Sequence, residues 1–139
     1  MGYALKRTPD RRSRSIAACF FGEGAASEGG QYCTTTVDFF FFILIIIKIS
    51  PDFHAGLMLA STIPSPTLFI ARNNGFAIST PSTEQYNGDG IASRGPGYGI
   101  DTVRVDGNDV LAVLTAIREA RKRCLEQGRA VLVEAMSYR

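Results

Sequence analysis

SIAACFFGEGAAS, residues 15–27, decides the fold. Ser15 to Phe21 is a short apolar run that stops at Gly22-Glu23-Gly24 and gives way to small residues, Ala25-Ala26-Ser27. That order predicts a buried strand, a tight turn and the start of a helix. Thr67 to Ala71 (TLFIA) reads as a second buried strand, closed by Arg72-Asn73-Asn74-Gly75. Thr102 to Val105 makes a third and Ala130 to Ala135 (AVLVEA) a fourth. Between these last two, Asn108 is expected to cap a helix, because a short side-chain oxygen can accept from free first-turn amides. Val110, Val113, Leu114, Ile117 and Cys124 are expected on one face of it. Lys122 and Arg123 are expected near its carboxyl end, where cations suit the dipole, with Gly128 as its stop. Apolar strands alternating with helices imply an α/β layer structure built on a parallel sheet.

Outward from this frame, Ser79 to Gly99 is rich in Gly, Pro, Ser and Thr without an apolar period, and reads as one long loop. The 139 residues suffice for one domain with a core. A hydrophobic fraction of 45% and a charged fraction of 20% are those of an ordinary globular protein. Fifteen basic against thirteen acidic residues leave +2, a balance that calls for neither nucleic acid nor an anionic membrane. The basic cluster Lys6, Arg7, Arg11, Arg12 and Arg14 reads as a solvated lead into the first strand rather than a phosphate-binding arm. Cysteines at 19, 33 and 124 are odd in number and lack CxxC spacing, which supports neither a disulfide framework nor a zinc site. The single histidine, His54, cannot build a metal cluster alone and reads as a polar helix residue.

The turns after the first two strands carry the chemistry. A diphosphate held by a metal needs close backbone approach, a helix amino terminus and oxygen ligands for Mg²⁺. Gly22-Glu23-Gly24 supplies the approach and one carboxylate; Asn73-Asn74 supplies an amide oxygen; Arg72 adds a cation. On residue types alone the same turns also fit ordinary structural roles, since Gly-Xaa-Gly and Asn-Asn-Gly are both common.

At these residues a family resemblance becomes close. FFGEGAASEG (20–29), HAGLMLAST (54–62), RNNGFAISTPSTEQYNGDGIASRGPGYGI (72–100) and VRVDGNDVLAV (103–113) resemble the alpha chains of the branched-chain 2-oxo acid dehydrogenases, the thiamine-diphosphate-dependent decarboxylating component. The likeness covers nearly all the chain outside residues 30–51. The related pyruvate dehydrogenase alpha chains share the Gly-acid-Gly and Asn-Asn pattern, but the wording from Arg72 to Pro81 resembles the branched-chain enzymes better. The resemblance implies a partial thiamine-diphosphate-binding fold over residues 1–139. It implies that Glu23 and Asn74 ligate Mg²⁺ by side chains and Phe76 by its backbone carbonyl. Gly22 and Gly24 would form the close-approach turn, Gly24 and Ala25 would present amides to the diphosphate, and Arg72 would pair with it.

In this family the cofactor carries the carbanion chemistry: a 2-oxo acid loses carbon dioxide and the acyl group passes to the lipoyl arm of an acyltransferase. The glutamate that activates the aminopyrimidine belongs to a partner beta chain of a heterotetramer, so no catalytic side chain is expected here. The resemblance also implies a mitochondrial matrix location, with the targeting segment, upstream phosphate contacts and a downstream catalytic and regulatory loop outside these 139 residues.

Two departures stand out. Met58 stands where the family usually has asparagine. More telling, 48 residues separate Gly24 from Asn73, where the thiamine motif wants a number in the mid-twenties. Removing Gly30 to Pro51, GQYCTTTVDFFFFILIIIKISP, joins Glu28-Gly29 to Asp52-Phe53-His54, the family wording. The removed piece is rich in Phe and Ile, as translated T-rich DNA would be. Gly30 can be encoded by GGT, which hides a GT donor, and Pro51-Asp52 by CCA-GAY, which hides an acceptor AG. Excision of these 66 bases keeps the frame and rebuilds one Asp codon. Residues 30–51 therefore read as a retained short intron of a eukaryotic gene, with a genuine loop or a membrane-associating hairpin as alternatives. Its apolar run from Phe39 to Ile47 covers under half of the ~20 residues a membrane helix needs. The run has high β propensity and no charge, an aggregation hazard.

Two other functional classes are weighed against an enzyme subunit. A catalytically inactive fragment or pseudogene product fits the interruption. A nicotinamide-binding domain fails, because Ser27 stands where the third glycine belongs and no acidic residue closes a second strand about 20 residues on.

Overall fold

The computed structural model describes residues 15–27 and 52–139. The basic cluster at 6–14, Cys33 and the whole segment 30–51 lie outside the described residues. Four strands, β1 (Ala17–Gly22), β2 (Thr67–Asn73), β5 (Asp101–Asp106) and β6 (Val131–Met136), form one sheet in the order β1-β2-β6-β5. All three pairings are parallel. Two short strands, β3 (Phe76–Ala77) and β4 (Thr80–Pro81), pair antiparallel as a separate hairpin. The helices are α1 (Glu23–Ser27), α2 (Asp52–Thr62), α3 (Ser82–Gln85) and α4 (Val110–Gln127).

Period-two alternation along β2 sorts its side chains onto two cores. Leu68 joins Val131, Val133, Ala120 and Cys124, with Ile70, Val103, Val105 and Ile117 packed around them, so α4 covers this face. Ala71 joins Ala26, Leu57, Ala60, Ile91, Ile100 and Leu132 on the other face, covered by α1, α2 and the segment beyond β4. Burial between these layers pushes the Cys124 thiol up to about 11.

Several expectations shift. Both predicted turns are tighter, since β1 runs through Gly22 and α1 starts at Glu23 without an intervening residue. β2 continues through Arg72 to Asn73. Asp109, not Asn108, caps α4: its Oδ1 accepts from the amides of Leu111 at 2.9 Å and Ala112 at 3.1 Å. Asn108 is instead tied back to Asp106, whose Oδ1 accepts from the Asn108 amide at 2.9 Å. Ile117 and Cys124 face the sheet as expected and Val113 is half-buried, whereas Val110 and Leu114 are exposed. Arg123 pairs sideways with Glu119 and Asp101 rather than serving the helix end. Gly128 stops the helix as predicted, with φ 66° and its amide on the Cys124 carbonyl.

Residues 79–99 are not a bare loop. They hold β4, α3 and two 3₁₀ turns, Ala92–Arg94 and Pro96–Tyr98, and they bury Ile91 and Ala92. The reason is Glu134 of β6, which is fully buried. Its Oε1 accepts from Asn73 Nδ2 at 2.7 Å and the Ile91 amide at 2.8 Å. Its Oε2 accepts from the Ala92 amide at 2.9 Å and from Arg104 Nε at 2.9 Å. Arg104 in turn holds Asp89 at 2.9 Å. Burial opposes ionisation of Glu134, but the bonds from Asn73, Ile91, Ala92 and Arg104 outweigh it and hold the carboxyl below its ordinary 4.5.

A lowered folded value means stability that is fully present above pH 4.5 and lost as pH falls through the folded value. Glu134→Ala should cost about 3–5 kcal/mol at neutral pH, because it leaves the Asn73 amide and the Ile91 and Ala92 backbone amides without their acceptor and Arg104 with Asp89 alone. It should also flatten the acid limb of stability. Urea unfolding of both forms from pH 7 downward reads both effects.

Candidate functional site

The carboxyl ends of β1 and β2 lie side by side, with Gly22 opposite Arg72 in register. Ligands of open parallel sheets bind outside such ends. Here they open into a cavity of about 1010 Å³. Every residue that the resemblance assigns to the cofactor or the cation lines it, Gly22, Glu23, Gly24 and Ala25 from the first turn and Arg72, Asn74 and Phe76 from the second, whereas Asn73 does not. The sequence did not single out the remaining lining residues that matter, Ile78 and Gln85.

Glu23 opens α1 and is 1% exposed. Its Oε2 accepts from the Gly75 amide at 2.7 Å, and Oε1 lies 3.4 Å from Gln85 Nε2. Among the described residues it has no ion-pair partner. A buried carboxylate held only by neutral donors lacks the cation that such burial ordinarily demands.

Gly75 makes this geometry. With φ 81° it adopts a left-handed conformation, and its amide is shared between Glu23 and Asn73 Oδ1, 2.9 Å away. The two asparagines thereby separate in role. Asn73 is buried and committed to Glu134, while Asn74 faces the cavity with Oδ1 accepting from the Phe76 amide at 3.1 Å. That carbonyl-type oxygen keeps a second lone pair for another partner. Arg72 is exposed at the cavity wall and has no ion pair among the described residues.

One carboxylate, one amide oxygen and the backbone carbonyls of a tight turn form an all-oxygen donor set, which suits a hard cation such as Mg²⁺ and leaves positions for phosphate oxygens. Among the described residues no three His, Cys, Asp or Glu side chains converge, so a thiolate or imidazole metal centre is not offered. No helix among the described residues is long and apolar enough to cross a membrane.

The glycines differ. A Cβ on Gly24 would lie 2.7 Å from the Ala77 Cβ, whereas one on Gly22 meets nothing within 4 Å. Gly24 is thus required by the seat of the β3–β4 hairpin on α1, a constraint that the turn pattern alone did not show. The other end of α1 is clasped as well: Arg94 donates to the Ala26 carbonyl and lies over the Tyr86 ring, 4.8 Å from its centre. His54 Nδ1 meets the Tyr98 hydroxyl at 2.7 Å, and burial, then Arg94, keep its pKa below 6.5. Met58 is half exposed on α2.

Gly24→Ala should destabilise the protein by about 1–3 kcal/mol, the ordinary effect of overpacking. Gly22→Ala should be close to neutral. Paired urea titrations separate the two, and equal effects would sink the account of the hairpin seat.

Residues 50–139 match the family described as Dehydrogenase E1 component. The chain is 50% identical over 137 residues to a Mus musculus protein named 2-oxoisovalerate dehydrogenase subunit alpha, mitochondrial. It is 49% identical over 137 residues to the Homo sapiens protein of the same name. It is 41% identical over 139 residues to the Arabidopsis thaliana subunit alpha 1. These alignments take in 99%, 99% and 100% of the chain. The chain spans about a quarter of the length of each relative: 25%, 25% and 24%.

Proposed function

Because the chain belongs to the Dehydrogenase E1 component family, we propose that it forms the part of an alpha subunit that holds Mg²⁺-thiamine diphosphate. With a beta chain in a heterotetramer, that subunit oxidatively decarboxylates branched-chain 2-oxo acids and passes the acyl group to a lipoyl-bearing acyltransferase. The observation that carries this reading is the convergence of Gly22, Glu23, Gly24, Ala25, Arg72, Asn74 and Phe76 on one cavity around a buried carboxylate without a cation. The names of the relatives support the branched-chain substrate class and a mitochondrial location; the matrix compartment is our proposal from the family resemblance.

When bound, the cofactor supplies the electron sink for decarboxylation. This chain's residues bind and orient. Glu23 and Asn74 contribute oxygens to the cation, with the Phe76 carbonyl as a third ligand. The Gly24 and Ala25 amides and the Arg72 guanidinium would hold the diphosphate. In the assembled enzyme, Glu23→Gln or Asn74→Ala should weaken Mg²⁺-dependent thiamine diphosphate binding by roughly a hundredfold, the upper range for disturbing a metal site. Calorimetry with cofactor and metal reads it directly. Unchanged binding in both variants would overturn the assignment.

The segment 30–51 we infer to be a retained intron, inserted within an otherwise continuous E1 domain. The packing of Ala26 from α1 with Leu57 and Ala60 from α2 in one core, although 30–51 separate them in the chain, supports this. Sequencing the mature message across codons 28 to 54 should find the 66 bases absent. Their presence throughout would favour an inactive product with an apolar insert.

A further inference from the structure

Gln85, the last residue of α3, lines the cavity and lies within the stretch 72–100 that carries the resemblance, yet the sequence reading gives it no role. Its Nε2 donates to the Thr80 carbonyl at 2.8 Å and faces Glu23 Oε1 at 3.4 Å. Its Oε1 is buried and, alone among buried side-chain oxygens and nitrogens of the described residues, has no hydrogen-bond partner. Turning the amide over would not cure this, since Oε1 would then oppose two acceptors, the Thr80 carbonyl and the Glu23 carboxylate. The orientation is therefore fixed by chemistry, and the unpaired oxygen follows from it. A buried acceptor without a donor is unfavourable, and an apolar side chain of the same length would remove that burden. The amide stands there in spite of it, with its donor end joining the β4 backbone to the Glu23 carboxylate.

We propose that Gln85 is a positioning residue for the cation site: it orients the Glu23 carboxylate for a divalent cation by tying it to the β3–β4 hairpin. This rests on the reading of Glu23 as a cation ligand. Among the described residues, two groups donate to the Glu23 carboxylate: the Gly75 amide to Oε2 and the Gln85 amide to Oε1. Without Gln85 the Gly75 amide is the one remaining restraint among the described residues, and a single hydrogen bond holds the plane of the carboxylate less firmly than two. Groups that orient a metal's ligands commonly change affinity tenfold or more when removed.

The test is Gln85→Met, similar in length and without an amide, in the assembled enzyme beside Glu23→Gln. Mg²⁺ is titrated calorimetrically at saturating thiamine diphosphate, and thermal unfolding is followed without metal or cofactor. The expected result for Gln85→Met is an Mg²⁺ midpoint raised by roughly ten- to a hundredfold, with metal-free unfolding unchanged or shifted upward. A residue with only a structural role would give the reverse, a lowered unfolding temperature with the Mg²⁺ midpoint in place, and that would overturn the proposal. If Glu23→Gln abolishes the Mg²⁺ response while Gln85→Met leaves it intact, the cation site stands and the role of Gln85 falls. If Glu23→Gln leaves the response intact, both fall together.

Discussion

The arrangement depends on one buried carboxylate, Glu134, more than on any other group. A charge in the middle of a parallel sheet is tolerated only where its lone pairs are taken up, and Glu134 uses four donors from three separate parts of the chain. By accepting from Asn73 Nδ2 it fixes the amide so that Asn73 Oδ1 points at the Gly75 amide. The same amide reaches Glu23 across the gap between β1 and β2. A structural carboxylate on one side of β2 thus sets the direction of the cavity carboxylate on the other. Neither the sheet order nor the turn alone would do this.

The cavity residues divide by what orients them. Glu23 and Asn74 accept from the Gly75 and Phe76 amides of the second turn, and Gln85 from beyond that turn reaches the other Glu23 oxygen. α1 itself is held from outside. The hairpin abuts Gly24, and Arg94 grips the Ala26 carbonyl while resting on Tyr86. Both supports come from the stretch 76–98, most of which falls within the run 79–99 that reads as one long loop by composition. Its many glycines and prolines reflect tight turns between short elements, not a lack of structure.

This explains what was legible in the sequence. The strands were, because TLFIA and AVLVEA are apolar runs bounded by polar punctuation, and a parallel sheet buries such runs on both faces. The cavity-lining residues were, because Glu23 and Asn74 sit immediately after strand ends, where topology leaves them no other place. Glu134 was not. It lies inside AVLVEA, where a lone acid in an apolar run looks like an exposed position, and its four partners are 30 to 61 residues away. The helix cap was misassigned between two adjacent residues of like chemistry, Asn108 and Asp109; the Asp106 side chain claims the first and leaves the second free. Val110 and Leu114 carry the right period, yet the packed face runs from Ile117 through Ala120 to Cys124 and leaves both exposed.

The pairing of β1 directly with β2 has a consequence for how the chain tolerates its own length. These neighbours are joined through residues 23–66, and the segment 30–51 makes up half of that connection. For a flexible chain, the entropy of closing a loop grows only with the logarithm of its length, so doubling the connection costs about 0.6 kcal/mol. Sheet topology is nearly indifferent to such a lengthening. Selection on the closed sheet alone would hardly notice it, and any penalty must come from the side chains that the extra residues bring.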